Sequence, residues 1–331
     1  MIKNKRFLLG FSAFLTLFMA CRKETVAVQW TKNVVNPTND WRGVQFFDAQ
    51  NGVVIGGNTW TGGFALRTTN GGATWQSDSM QAWSLYGGGL DPKAQNTEGA
   101  AFYTVGISGQ IFGLPKKDSA FRWVAHPFWK WFRDVAVRNG RGVSVGGQGW
   151  QGGILATFDV KNAIKPYIDT FPQELESVAF ADDSTVVAVG YGLVVRSTNA
   201  GRTWQPVKNL DGDFYQSICF PSEKVGFMVG YSGSILTTKD GGASWSRLES
   251  ASQFGAKHFR AVFFTDILRG LICGDDGLLW RTSDGGVSWQ VADGLPNVNF
   301  YDVFALNPLQ KDAITEGWLV GAAGTIIKFN F

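Results

Sequence analysis

Thr282-Ser283-Asp284-Gly285-Gly286-Val287-Ser288-Trp289 is the stretch whose reading decides the fold. The same phrase returns as Thr68-Thr69-Asn70-Gly71-Gly72-Ala73-Thr74-Trp75, as Ser197-Thr198-Asn199-Ala200-Gly201-Arg202-Thr203-Trp204 and as Thr238-Lys239-Asp240-Gly241-Gly242-Ala243-Ser244-Trp245. A hydroxyl residue, Asp or Asn, Gly, a second hydroxyl residue and Trp keep fixed offsets in every copy. Self-similarity at a fixed period marks a repeat architecture and has to be settled before any local reading.

The last two Trp-to-Trp intervals are 41 and 44 residues, and the first is 129, three times 43. Two degenerate repeats therefore lie between Trp75 and Trp204, ending at Trp123 and Tyr167. Each unit begins with an aromatic-led apolar run, such as Phe259-Arg260-Ala261-Val262-Phe263-Phe264. A Gly-bounded β-branched run follows, such as Gly226-Phe227-Met228-Val229-Gly230, then a third run, the Asp/Asn-Gly turn and the Trp strand. Short runs with Gly punctuation and Asp-Gly turns predict four antiparallel strands per unit. Four-stranded units of this length are propeller blades. The expected fold is all-β, a seven-bladed β-propeller over residues 26–331. Its last blade is closed by residues 26–30 pairing with the three C-terminal strands.

Composition agrees with a β domain: 42 Gly, 14 Trp and 14% aromatic residues in 331. Residues 1–20 read as a signal segment, with a basic head of Lys3, Lys5 and Arg6 before an apolar stretch too short to span a bilayer. Leu17-Phe18-Met19-Ala20-Cys21 resembles a bacterial lipobox, which makes Cys21 the expected lipidation site; an ordinary secretory signal with an incidental Cys is the other reading. Residues 21–25 are then a tether, and the expected location is the bacterial cell envelope, on its periplasmic or outer-surface side. Removing residues 1–20 leaves 27 basic and 27 acidic residues, a balance with no electrostatic signature for nucleic acid. Cys219 and Cys273 fall at different strand positions and read as buried thiols rather than a disulfide.

The repeated phrase resembles the Asp-box, or bacterial neuraminidase repeat, of sialidases, sortilin-type receptors, xyloglucanases and photosystem II stability/assembly factor-like proteins. Its longer form is most similar to the last family, in which seven blades are also expected. Physically the phrase is structural. Asn70, Asn199, Asp240 and Asp284 accept hydrogen bonds from their own turn. The Gly supplies a positive φ. Trp75, Trp204, Trp245 and Trp289 begin the outer strand and pack between blades. The turn joins the third and fourth strands, so it marks the face opposite the usual ligand site of a propeller.

Ligand-face candidates are the non-repeating residues at the start of the first strands. These align as Arg42, Ser84, Arg133, Glu176, Gln216, Arg260 and Tyr301 around the channel mouth. Three arginines there suit a carboxylate or phosphate, or each arginine pairs with a neighbouring acid. The photosystem family resemblance implies a comparable arginine patch, here interrupted by Glu176 and Gln216. Trp60 and Trp150, each in a Gly-flanked second-to-third connection, either join that face as exposed aromatics or cover a blade edge. In His126-Pro127-Phe128-Trp129-Lys130-Trp131-Phe132-Arg133, alternation puts Trp129 and Trp131 on one face. His126 and His258 have no metal-ligand spacing, and neither a Ser-His-Asp set nor a phosphate loop is present. No cofactor is expected.

The favoured expectation is a non-catalytic, monomeric envelope lipoprotein whose Arg/Trp face holds a protein segment or a glycan. The alternative is a sialidase-like glycoside hydrolase, which Arg42, Arg133, Arg260 and Tyr301 match superficially.

Overall fold

The computed structural model describes residues 25–58, 62–80, 82–92, 101–115, 120–125, 129–148, 151–160, 167–210, 212–248, 257–306 and 316–331. Its strands form seven sheets, the blades of a propeller. Blade one consists of Asp40–Phe46, Gly52–Asn58, Gly62–Thr68 and Gln76–Met80, each strand antiparallel to the next. The inner strands of blades two to seven are Leu85–Leu90, Phe132–Arg138, Leu175–Phe180, Tyr215–Cys219, Phe259–Phe264 and Phe300–Ala305. Trp123 and Tyr167 lie in the outer strands Arg122–Ala125 and Tyr167–Gln173, so the two degenerate units are complete blades. Cys219 and Cys273 are free thiols.

Second strands such as Gly226–Gly230 and Gly270–Gly274 are buried along their whole length, because adjacent blades cover both of their faces. This is why they read as continuous apolar runs rather than alternating ones. Between blades the core closes on stacked rings. Phe46 of blade one lies 3.6 Å from Trp318 of blade seven, and Phe227 lies 3.7 Å from Phe264.

The seventh blade closes as expected in kind but not in detail. Its outer strand is Gln29–Val34, antiparallel to Thr325–Asn330. Residues Thr25–Ala27, expected to belong mostly to that strand, instead pair in parallel with Gln290–Asp293 and add a fifth strand to blade six. An outer strand exposes a row of unpaired backbone groups, and a short extra strand covers them. Val28, between the two segments, packs into the core shared by blades six and seven.

The box turns carry the same hydrogen bonds four times. In blade six the Thr282 hydroxyl donates to Asp284 at 2.8 Å and accepts from the Gly286 amide at 2.9 Å, while Asp284 accepts from the Ser288 amide at 2.9 Å. Thr68, Ser197 and Thr238 act in the same way toward Asn70, Asn199 and Asp240. Asp and Asn interchange because the second hydroxyl reverses its role. Ser288 donates to Asp284 at 2.6 Å, whereas Asn70 donates to Thr74 at 2.8 Å. Partial burial alone would raise the Asp284 carboxyl, but the bonds from Ser288 and Thr282 outweigh it and hold its pKa below the ordinary value.

The box tryptophans join the cores between their own blade and the preceding one, Trp204 and Trp289 as buried members and Trp75 and Trp245 packed against them. Trp75, Trp245 and Trp289 meet Phe46, Phe220 and Phe264 edge-on, at 6.2, 6.0 and 6.2 Å, each the aromatic that ends or follows the inner strand of the same blade. Phe46 and Phe264 in turn stack on Trp318 and Phe227 of the preceding blade, so Trp and Phe fill the interface together.

Candidate binding ring at the channel mouth

All seven inner strands break register at the same place. Pairing shifts between Trp41 and Gly43, Leu85 and Gly87, Phe132 and Asp134, Leu175 and Ser177, Tyr215 and Ser217, Phe259 and Ala261, and Phe300 and Asp302. The skipped residue is a β-bulge, which leaves one residue outside the ladder and re-aims its side chain. The bulged residues are Arg42, Tyr86, Arg133, Glu176, Gln216, Arg260 and Tyr301, and they line one cavity of about 600 Å³. Six match the sequence expectation. The seventh does not: Ser84 is buried at 1% exposure, and Tyr86 takes its place. The missed signal was the fully buried residue just before each ring position, which in blade two is Leu85.

The bulge has a cause in the second strand. The residue before each bulge faces a Gly: Trp41 faces Gly56, Leu85 faces Gly106, Phe132 faces Gly146, and the remaining four blades repeat the pairing. A Cβ on Gly56 would sit 2.1 Å from the Asp40 carbonyl oxygen, and one on Gly146 2.0 Å from that of Trp131. Only Gly permits this approach. Below the ring, acids from one blade bridge to the next. Asp302 accepts from the Val44 amide at 2.9 Å, and Asp134 accepts from the Ser177 hydroxyl at 2.8 Å and the Val178 amide at 3.1 Å. Burial raises both carboxyls, Asp302 to about 7, against the lowering effect of these bonds.

The three arginines do not stand bare. Arg42 bonds Asp40 at 3.0 Å, Arg133 bonds Glu174 at 2.9 Å, and Arg260 grips Asp275 with two bonds of 2.9 and 3.0 Å. Glu176 adds a contact to Arg133 at 3.7 Å. Desolvation lowers the Arg133 pKa, but the neighbouring Glu176 and Glu174 more than restore it, so its charge is held. Glu176 itself is pushed up to about 7 by burial, with Arg133 opposing the shift.

Paired in this way, the guanidinium planes alternate with tyrosine rings. Arg260 lies 6.0 Å from the Tyr301 ring, Arg42 lies 4.7 Å from Tyr301 and 4.8 Å from Tyr86, and Arg133 lies 4.8 Å from Tyr86. These are cation–π distances. The arc runs through five consecutive blades, and Glu176 and Gln216 complete the circle. Outside it, Tyr231 stacks on His258 at 3.9 Å and beneath Arg260 at 5.1 Å, and Trp131 lies 5.4 Å from Arg133. Trp129, its expected neighbour, is 77% exposed. Trp60, Trp150, His126 and Cys21 lie outside the described residues. Asn70, Asn199, Asp240 and Asp284, with their tryptophans, sit at the opposite face: Phe46 ends its strand on Trp75, about 13 Å along the strand from Arg42 at 3.3 Å per residue.

Two donors in the ring lack a partner. Arg42 Nε and Gln216 Nε2 are buried without a hydrogen bond. A buried donor left unpaired costs about 1–3 kcal/mol, which an acceptor brought into contact would recover. Among the described residues, no group of three or more His, Cys, Asp or Glu is arranged to hold a metal ion.

Residues 210–293, covering blades five and six, match the family model described as Photosynthesis system II assembly factor YCF48. No curated protein matches the sequence. Among solved structures, one of YCF48 bound to D1 peptide aligns at 15% identity and TM-score 0.66, over 91% of this chain and 95% of that one. YCF48 from Cyanidioschyzon merolae aligns at 13% identity and TM-score 0.65, over 91% and 98%. The WD40 propeller domain of Doa1 aligns at 12% identity and TM-score 0.67, over 92% and 97%. The chain is thus a seven-bladed, all-β propeller similar to the photosystem II assembly factor, with its closest-set functional groups on a ring opposite the Asp-boxes.

Proposed function

We propose that the chain is a non-catalytic binding propeller that holds an extended segment of a partner protein across the ring face. The observation that carries this is the pair of unsatisfied buried donors, Arg42 Nε and Gln216 Nε2, on a ring of alternating arginine and tyrosine. Since Asp40, Glu174 and Asp275 already neutralise the arginines, the mouth is not a bare anion trap. It offers flat cationic and aromatic faces to side chains, and spare N–H groups to backbone carbonyls. A solved relative of the same fold is described as holding a D1 peptide, which is in keeping with a peptide ligand. The test is a pull-down from envelope extract with wild type and the Arg42→Ala/Arg133→Ala/Arg260→Ala variant. Loss of the same partner from the variant is expected. An unchanged partner set from a folded variant would sink the reading, and a ligand found only on a glycan array would replace protein by sugar.

The protein is further proposed to be tethered to the envelope membrane through lipid on Cys21, on the strength of the lipobox-like residues 17–21. The Cys21→Ser variant is expected to move from the membrane to the soluble fraction.

One observation favours a second reading, a sialidase-like hydrolase: Glu176, at about 7, keeps a transferable proton at neutral pH inside the cavity. Turnover of a fluorogenic sialoside, abolished in Glu176→Gln, would establish it.

A further inference from the structure

On the face opposite the ring, blades one, four, five and six carry the same two adjoining turns. One is the hairpin between first and second strands, the other the Asp-box. A single backbone bond ties them: the Gly71 amide donates to Gln50, Ala200 to Ser184, Gly241 to Lys224 and Gly285 to Leu268, at 2.9, 2.7, 3.0 and 2.8 Å. This bond aligns the turns residue by residue. The three outermost positions are Ala49, Gln50 and Ala73 in blade one, Asp183, Ser184 and Arg202 in blade four, and Glu223, Lys224 and Ala243 in blade five. In blade six they are Ile267, Leu268 and Val287, exposed by 47, 52 and 73%. Folding does not ask for apolar residues here, because the same positions hold Asp, Lys and Arg elsewhere. Three branched aliphatic side chains thus stand exposed on two turns that one backbone bond joins, an arrangement that suits a contact surface.

Blade six is also where the N-terminal chain arrives. Thr25 pairs with Val291, two residues beyond the box residue Trp289 and four beyond Val287. Paired strands lie about 4.8 Å apart, and the four residues from Cys21 to Thr25 can span at most about 14 Å. A lipid on Cys21, as proposed above, would therefore be held within that reach of this blade. A lipid tether holds a protein near a bilayer without deciding which side faces it; a second apolar contact does that.

We infer that the box-turn corner of blade six is the membrane-facing corner of the propeller, with Ile267, Leu268 and Val287 seated in the lipid interface and the ring turned away from it. The occupant is a lipid surface because the apolar corner coincides with the arrival of the anchored end. The inference rests on the lipid anchor proposed above. Its consequence is a protein that presents its binding ring to partners in the aqueous compartment.

The test uses the full-length lipidated chain in phosphatidylethanolamine/phosphatidylglycerol vesicles containing doxyl-labelled lipid. Bimane is placed at Val287→Cys, at the equivalent Ala73→Cys of blade one, and at Tyr191→Cys, an exposed site near the first-strand side of blade five. Cys273 is fully buried, and Cys219, only partly buried, is first replaced as Cys219→Ser in every variant. Loss of fluorescence at 287, with none at 73 or 191, is expected. Adding Ile267→Glu and Leu268→Glu should restore the signal at 287 while the protein still floats with the vesicles. Equal quenching at 73 and 287, or none at 287 in floating protein, overturns the orientation. Protection of residue 287 in native membranes but not in lipid vesicles overturns it as well, in favour of a protein cover. The anchor is scored separately. If Cys21→Ser still floats and 287 is still quenched, the corner binds lipid by itself and only the lipidation reading falls.

Discussion

Ala200 stands at φ 55°, where the other three boxes have Gly71, Gly241 and Gly285 at 65, 67 and 72°. A Cβ in the left-handed region costs roughly 1–2 kcal/mol. Ala200→Gly is therefore expected to raise stability by about 1 kcal/mol, after the entropy that Gly adds to the unfolded chain, readable in denaturant titration. Glu176 gives a pH prediction. Its carboxyl rises from an ordinary 4.5 to about 7 because burial disfavours the charged form. The folded state then holds a proton that the unfolded state has released. Stability from this group is full below about 4.5 and is lost as pH rises through about 7. Glu176→Gln should flatten the fall in melting temperature between about pH 4.5 and 7. Asp302, shifted the same way, adds to the slope, and Asp302→Asn should flatten it further. A wild-type protein whose stability rises over that interval would contradict both.

At the scale of strands, the ring is a product of the bulge rather than of residue type. The Gly opposite each bulge was visible in the sequence as the end of the second apolar run, but its partner was not, so blade two was aligned on Ser84 instead of Tyr86. Counting from Leu85, the last fully buried residue, would have found the tyrosine that links Arg42 to Arg133. The acid partners were harder to read. Glu174 precedes its inner strand, and Asp275 follows a second strand; only folding brings them to Arg133 and Arg260. The stacked pair of Phe46 and Trp318 joins first and last blades across 272 positions of sequence. Trp318→Ala removes a fully buried ring and is expected to cost about 3–5 kcal/mol. A loss below 1 kcal/mol in chemical unfolding would mean that the blade interface relaxes around the gap.

For the whole molecule, closure is the decisive interaction. Gln29–Val34 completes blade seven from the opposite end of the chain. Deleting it would expose Thr325–Asn330 as an edge strand and part the first blade from the last. The expected outcome is a broadened thermal transition and association on size-exclusion chromatography; an unchanged monomer peak with a sharp transition would show that the interblade stacking closes the ring unaided.

The repeat by itself determined the architecture, because each Asp-box is a local device. Its hydroxyl, carboxyl and Gly bond one another within a few residues, so spacing alone counts blades and marks one face. The sequence also determined which residues could be functional, as those that break the repeat. What those residues do was decided only by the tertiary structure. Whether an arginine is a free cation or half of an ion pair depends on acids from other loops and blades. Folding paired all three arginines, set them against aromatic rings, and left two buried donors without partners. The place of the N-terminal strand is likewise tertiary, since Thr25 meets Val291 across most of the chain and so lies beside the aliphatic corner of blade six.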